Sequence, residues 1–581
     1  MRHIFLLVLA ALLTALLLAF TQRRLSVPVP LQTVRSSLVQ KTGVRCSPDW
    51  NELKGWLEEA DIPPMPGAGM HKWKIKTRND SAQFYFNQGM NMYYGFHIIE
   101  AMASFKKAAR FDPGCAMLYW AQALAYGPNI NDYGYIASPD ALEALEKARQ
   151  YSGTASPFEQ SLVDAMSLRY VRDSADATRK KLNAAYTEMM RRVAEKFPKE
   201  PDAAALYADA MMLEHPWDLW FPDGQPKPWT PGIRLILEKL LSSHPMHPGA
   251  NHYYIHVMEA SPFADKALPS AGRLGITNPG LSHLVHMPSH IYLRTGKYQE
   301  GVDVNTAALK SFETYKDIFP AVTGADFLYA YHNLHMKANN AMMAGQYQVA
   351  IDAAMQLETQ MPAAYLDIPA PLGNYLQYIY GTRVLVYVRF GKWDELLQLK
   401  DPGNRYSVSA ILYHFGRSFA MARKKKIQES GQELDLMRTA MQDSLLQVAM
   451  TPFSPWIEGA KVAEQLLLGL IHEERNLMDG AIRHYRRADS IESRMVYDEP
   501  RDWMLSPRHY LGNAQLKAGR WADAEKTLRN DLVWNRNNGW ALYGIWKAQL
   551  AGGKKTAAEK TRAQFQLAFS KADISPEGAV Y

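Results

Sequence analysis

One pattern of residue sizes recurs along this chain and limits what it can fold into. Gly89, Ala101, Phe105, Ala108 and Pro113 follow in order, first small, then small, large and small, then a helix breaker. Placed on two consecutive helices, the small residues let the backbones approach. The aromatic fills the gap to the next hairpin, and the proline ends the second helix. The same order returns as Leu468-Gly469, Ala481, Tyr485 and Ala488, and again as Leu511-Gly512, Ala524 and Leu528. A Gly-x-aromatic turn recurs at Gly296-Lys297-Tyr298, Gly345-Gln346-Tyr347, Gly391-Lys392-Trp393 and Gly519-Arg520-Trp521. A single match would be weak, but this many in register with helical apolar spacing form a strong signal. One such hairpin cannot bury its apolar face alone, so the chain must stack them around a continuous core.

The expected fold is therefore all-α: an α-solenoid of the tetratricopeptide (TPR) type, a right-handed superhelix of helical hairpins over residues 81–575. Length alone would suggest roughly four domains, but a repeat stack has no sharp internal boundaries. Two insertions interrupt it. One lies near 215–231 and is dense in Trp, Pro and Gly, with Trp217, Trp220 and Trp229; the other lies near 316–325. Long loops of this kind serve as covers or binding loops, or simply pack on their neighbours. Residues 25–80 carry repeated Pro and Gly, including Pro63-Pro64-Met65-Pro66, and are expected to form a linker with one short helix around Trp50 to Glu59.

Residues 1–24 form a hydrophobic leader. Arg2 and His3 precede an apolar run from Ile4 to Phe20, which Thr21-Gln22-Arg23-Arg24 closes. The run is long for a secretory core and short for a spanning helix, and no small-x-small cleavage site follows it. A signal peptide and a retained membrane anchor both fit, with the anchor favoured. Either one implies an extracytoplasmic protein, periplasmic or membrane-anchored and facing the periplasm. Two cysteines, Cys46 and Cys115, allow one disulfide at most, and Cys115 is expected as a packed core thiol. The net charge of +7 is mild for 581 residues. The one dense basic run, Arg423-Lys424-Lys425-Lys426, falls where an inter-helix loop is expected, so no nucleic-acid partner is predicted.

The chemistry is concentrated in histidine. Eight of the 17 histidines lie between His247 and His335. With Pro248 as the first position of a repeat, Ala267 and Pro279 take the usual Ala and Pro slots. The next repeat then starts at Ser282, and a third near Tyr331. In this frame His252, His256 and Glu259, then His283, His286 and His290, then His332 and His335 all fall on groove-facing positions of three consecutive first helices. Within each set, spacings of three, four and seven keep the side chains on one helix face. Asp209, His509, Asn513 and the segment Asp498-Glu499-Pro500 with Arg508 are further candidates, which the curl of a superhelix could bring to the same place.

Imidazole suits Zn, Cu, Fe and Ni, and a carboxylate completes many such sites. A His/Glu-lined concave pocket binding a transition metal ion (Zn, Cu or Fe), in a metalloenzyme or a metal-handling protein, is one reading. A groove that binds a protein or peptide ligand, as a scaffold in a cell-envelope assembly, is another. An acid–base pocket is a third. The His-Glu-x-x-His motif is absent, as are paired Glu-x-x-His motifs, a nucleophile elbow, a P-loop and a dinucleotide fingerprint. His97 and Glu100 are expected to be structural.

The strings from His247 to His256 and from His283 to Tyr292, with Asp112 to Trp120, Pro216-Trp217-Asp218 and Tyr331 to His335, resemble a family of bacterial tetratricopeptide-repeat proteins with a His-rich central motif. The resemblance runs from about Ala82 to Asp573. It implies the repeat fold and an exported or unassigned location, marks the histidine strings as family features, and names no reaction.

Overall fold

The computed structural model describes residues 48, 50–132, 135, 137–171, 176–319, 325–501 and 503–581. The leader 1–24 and Cys46 lie outside the described residues. Among the described residues no helix is long and apolar enough to cross a membrane.

The architecture is an α-solenoid. Antiparallel hairpins follow one another: Asp80–Tyr94 with Ile98–Phe111, Ser407–Arg423 with Ile427–Ala440, Ile457–Glu474 with Met478–Glu492, and Gly539–Ala551 with Lys555–Ala568. Among the described residues the only β pairing is one isolated bridge, Trp220 to Pro226. The size pattern of the sequence accounts for the packing. A Cβ at Gly89 would stand 2.3 Å from the Phe105 ring, one at Gly469 would stand 2.4 Å from Tyr485, and one at Gly512 would stand 2.6 Å from Leu528. In each repeat the small residue of the first helix receives the large residue of the second. The hairpin turns close as expected, with Gly296 in the left-handed region (φ 76°) capping Pro288–Thr295. The short helix at Trp50–Glu59 forms with the bounds expected for it.

Two large apolar cores run through the stack, one from Trp50 to Phe319 and one from Val302 to Val580. The C-terminal repeats return to the middle ones. Tyr298 Oη donates to Arg536 O at 2.8 Å, Trp540 Nε1 to Met342 O at 2.9 Å, and Arg389 Nη2 to Ala579 O at 3.0 Å. This closure carries the segment around Tyr497 onto the middle repeats.

Three details differ from the expectation. The described part of the 25–80 stretch is not a loose linker: Ile62, Met65, Ala68, Trp73 and Ile75 are buried. Its backbone is pinned across the stack, Gly280 N donating to Gly67 O at 2.9 Å and Asn278 Nδ2 to Ala68 O at 2.8 Å. Proline made it extended, and its apolar side chains made it pack. The third histidine-bearing helix runs from Ala325 to Met343, starting well before Tyr331, because nothing between Ala325 and Tyr331 breaks a helix. The preceding helix, Tyr298–Ile318, takes up the first part of the 316–325 insertion, whose residues 320–324 lie outside the described ones. The 215–231 insertion is a packed loop, with Trp220 Nε1 donating to Val257 O at 2.6 Å and Trp229 Nε1 to Asp218 O at 2.6 Å. Cys115 is buried, and burial pushes its thiol up to about 11.

Candidate metal centre

The helices Pro248–Glu259, Ser282–His286, Pro288–Thr295 and Ala325–Met343 deliver the predicted histidines to one place, in two groups of three. The first is His252, His256 and His283. Nε2 of His252 stands 3.0 Å from Nε2 of His256 and 3.0 Å from Nε2 of His283. The second is His286, His290 and His332, where Nε2 of His290 stands 2.7 Å from that of His286 and 3.5 Å from that of His332. His335 belongs to neither trio. It turns its Nδ1 to Thr382 Oγ1 at 2.8 Å.

The outward-facing nitrogens settle the chemistry of the inward-facing ones. Nδ1 of His252 is 2.6 Å from the carbonyl of Tyr94, which only accepts, so the proton sits on Nδ1. Nδ1 of His256 donates to Glu259 Oε1 at 2.9 Å. Nδ1 of His286 is 2.7 Å from Asn305 Oδ1, and Asn305 is held in that orientation because its Nδ2 donates to Gly301 O at 2.8 Å. Nδ1 of His290 makes an ion-pair contact with Glu259 Oε2 at 3.0 Å. Nδ1 of His332 faces Tyr375 Oη at 3.3 Å. Five of the six rings thus have Nδ1 turned to an acceptor while Nε2 points at its neighbours. In their neutral forms these rings aim bare lone pairs at one another across 2.7–3.5 Å. Such contacts require a cation between them, a proton or a metal ion. Metal-ligating histidines are oriented in this way, with the outer N–H on a carboxylate or carbonyl.

One carboxylate serves both groups. Glu259, fully buried, receives His256 on one oxygen and His290 on the other, and Tyr497 Oη donates to its Oε2 at 3.1 Å. Glu499 Oε1 lies 3.5 Å from Nδ1 of both His256 and His290. Burial opposes charge on His256, but Glu259 and Glu499 hold its imidazole up to about 9. Burial and the Glu259 charge push Glu499 up to about 7. Burial pulls His252, His283, His286 and His332 down, each helped by a neighbouring imidazole, so these rings are neutral and ready to act as ligands.

The expectation of an open concave wall is changed in one respect. His252, His256, Glu259, His283, His286 and His290 are all buried, none more than 3% exposed. Phe96 stacks on His283 and His256, and Trp217, from the insertion, meets His256 edge to face at 5.0 Å. Of the further candidates, Glu499 joins the centre. Asp209 instead accepts from Tyr93 Oη at 3.2 Å, and His509 sits 2.9 Å from Asp531. Sequence reasoning missed Tyr497, Tyr375 and the Tyr94 carbonyl, which lie on other repeats, and Asn305, on the second helix of the His290 repeat; none of them carries a motif.

A third cluster, His71, Asp202 and His247, shows what a closed network looks like. Ala250 N donates to His247 Nδ1 at 3.2 Å, which places the His247 proton on Nε2, facing Asp202 Oδ1 at 3.3 Å. His71 Nε2 and Tyr94 Oη meet the same oxygen at 2.8 Å each. All three partners can donate to the carboxylate, and no lone pairs collide.

No family model and no curated protein matches the sequence. Similar solved structures include the human IFIT1 dimer with m7Gppp-AAAA, at 11% identity and TM-score 0.30, covering 89% of this chain and 99% of that one. Another is the Cut9–Hcn1 hetero-tetramer of the APC/C, at 12% identity and TM-score 0.27, covering 85% and 76%. A third is yeast Tom70, at 10% identity and TM-score 0.25, covering 83% and 92%. The repeat assignment rests on this chain's own hairpins and small-to-large contacts.

Proposed function

We propose that this chain is an exported, transition-metal-binding solenoid protein, a metalloenzyme or metal-handling protein with one ion in each three-histidine group. The single observation behind this reading is that Nε2 atoms converge in both trios while five of the six rings turn Nδ1 outward to an acceptor. A proton between two imidazoles satisfies one pair, whereas each group offers three nitrogens. In a tetrahedral site with Zn–N of about 2.0–2.1 Å, neighbouring nitrogens stand about 3.3 Å apart. Two separations in each trio, 3.0 and 3.0 Å in the first and 2.7 and 3.5 Å in the second, lie within a few tenths of an ångström of that except the His286–His290 pair, which would have to open; the third in each lies within 4.8 Å. An ion held by three imidazoles would supply Lewis acidity at this site. His252, His256 and His283 would hold the first ion, and His286, His290 and His332 the second. Glu259 orients one ligand of each, with Glu499 beside both. Burial of these side chains weighs against the other reading, a peptide lying along them. Export rests on the leader sequence.

The experiment is elemental analysis of protein purified without an affinity tag. Bound transition metal is expected, and it should fall in His256→Ala plus His286→Ala. Protein that carries no metal, or whose metal content is unchanged in that variant, would sink the proposal.

A further inference from the structure

Beside the paired histidine groups lies a cavity of about 110 Å³. Its walls are apolar: Trp217, Leu328, Leu372, Leu376, Ile379 and Phe453. Its floor is not. His283 from the first trio, His332 from the second, and Glu499 all line it. Each trio therefore contributes one imidazole to the same chamber, and Glu499, whose Oε1 stands 3.5 Å from Nδ1 of both His256 and His290, lines it too. The chamber is thus lined by one histidine of each proposed ion site.

Size and wall chemistry narrow the occupant. An apolar cavity of about 150 Å³ holds benzene, so this one, which is open on one side, takes a single ring and little more. Aromatic surfaces frame it. The Trp217 and Phe453 rings are 5.8 Å apart, and Tyr329, also in the lining, sits 4.5 Å from the His283 ring. Offset and edge contacts with such rings favour an aromatic guest over an alkyl one. The polar end of the guest meets the histidine floor, with Asp498 and Glu499 also in the lining. A carboxylate head would face these two acidic side chains, whereas a hydroxyl offers a lone pair to an ion and a proton to a carboxylate.

We infer that the cavity over His283, His332 and Glu499 is the substrate site of the paired metal centre, and that it takes a single-ring aromatic alcohol of the phenol class with its oxygen toward the ions. The inference rests on the metal-binding reading above and names the ligand class of that same centre.

The test uses the full chain loaded with cobalt(II), whose visible bands respond to a change of ligand, with phenol as the probe and benzoate as the charged comparison. Cobalt content is measured on every sample. Phenol is expected to shift the bands saturably, and benzoate to bind at least tenfold more weakly. Leu372→Trp and Met450→Trp, both at partly exposed lining positions, are each expected to weaken phenol at least tenfold while cobalt content and the phenol-free bands stay as in the parent. Unshifted bands on fully loaded protein, benzoate binding as tight as phenol, or unchanged phenol affinity in both tryptophan variants would overturn the substrate assignment and leave the metal site standing. Protein that takes up no cobalt overturns the metal reading itself, and this proposal with it.

Discussion

Nε2 of His252 and Nε2 of His256 stand 3.0 Å apart with both Nδ1 atoms turned away, one to the Tyr94 carbonyl and one to Glu259. Two neutral rings held this way would repel, so the contact needs a cation: the proton that Glu259 and Glu499 keep on His256, or a metal ion in its place. The same arrangement recurs at His286 and His290, and Glu259 links the two.

The shared carboxylate makes an unusual mutational pattern. Glu259→Gln keeps the shape but removes the charge that orients one ligand in each trio, and loss of such an outer partner costs about 10–100-fold in metal affinity. Both ions should therefore weaken. Asn305→Ala removes the partner of His286 alone and should weaken only the second. Competition titration with a chromophoric chelator resolves the two steps, and equal weakening of both sites by Asn305→Ala would contradict the assignment.

Proton competition gives a signed pH dependence. Burial opposes a charge on His256, but Glu259 and Glu499 hold its imidazole up to about 9, with His252 and His290 as the facing neighbours. Below that value a proton occupies the metal's place and must leave on loading. Apparent affinity at the first trio should rise about tenfold per pH unit from pH 6 toward 9 and level off above, since one proton is exchanged. Calorimetry in buffers of different ionisation enthalpy reads the released proton. Flat affinity between pH 6 and 8 would contradict the coupling.

Metal should also stabilise the fold. The ligands come from three successive repeats, and an ion that binds only the folded chain adds about 2.7 kcal/mol at a hundredfold excess over Kd. Chelation should lower the thermal midpoint by several degrees and readdition should restore it, as followed by circular dichroism. An unchanged midpoint after verified metal removal would contradict this.

The repeat packing makes its own prediction. A Cβ at Gly469 would sit 2.4 Å from the Tyr485 ring, which is fully buried and donates to Glu473 at 2.9 Å, so the ring cannot easily yield. Gly469→Ala should cost about 1–3 kcal/mol, measured by urea denaturation, without altering metal content.

The sequence carried the fold because small-to-large pairs such as Gly89 with Phe105 lie close along the chain and follow a period. It carried the six histidines of the two trios in a related way, since His252 and His256, and His283, His286 and His290, lie on single helical faces at spacings of three and four, and His332 lies one repeat on. His335 shows the limit of face arithmetic: it occupies a groove-facing slot, but Thr382 on the next hairpin draws it aside. Glu499 was legible only as a candidate that superhelix curl could bring in, and Tyr497 as a partner of Glu259 was not legible at all. Their distance along the chain is bridged only by the closure of the superhelix, which depends on many small packing angles and on no local motif.

The most direct measurement is metal stoichiometry by titration with elemental analysis, comparing the parent with His252→Ala plus His283→Ala and with His286→Ala plus His332→Ala. Two ions per chain in the parent and one in each double variant, with the remaining site intact, is the predicted result. Zero or one ion in the parent, or loss of both ions in either variant while the helical content is unchanged, would contradict two separate three-histidine sites.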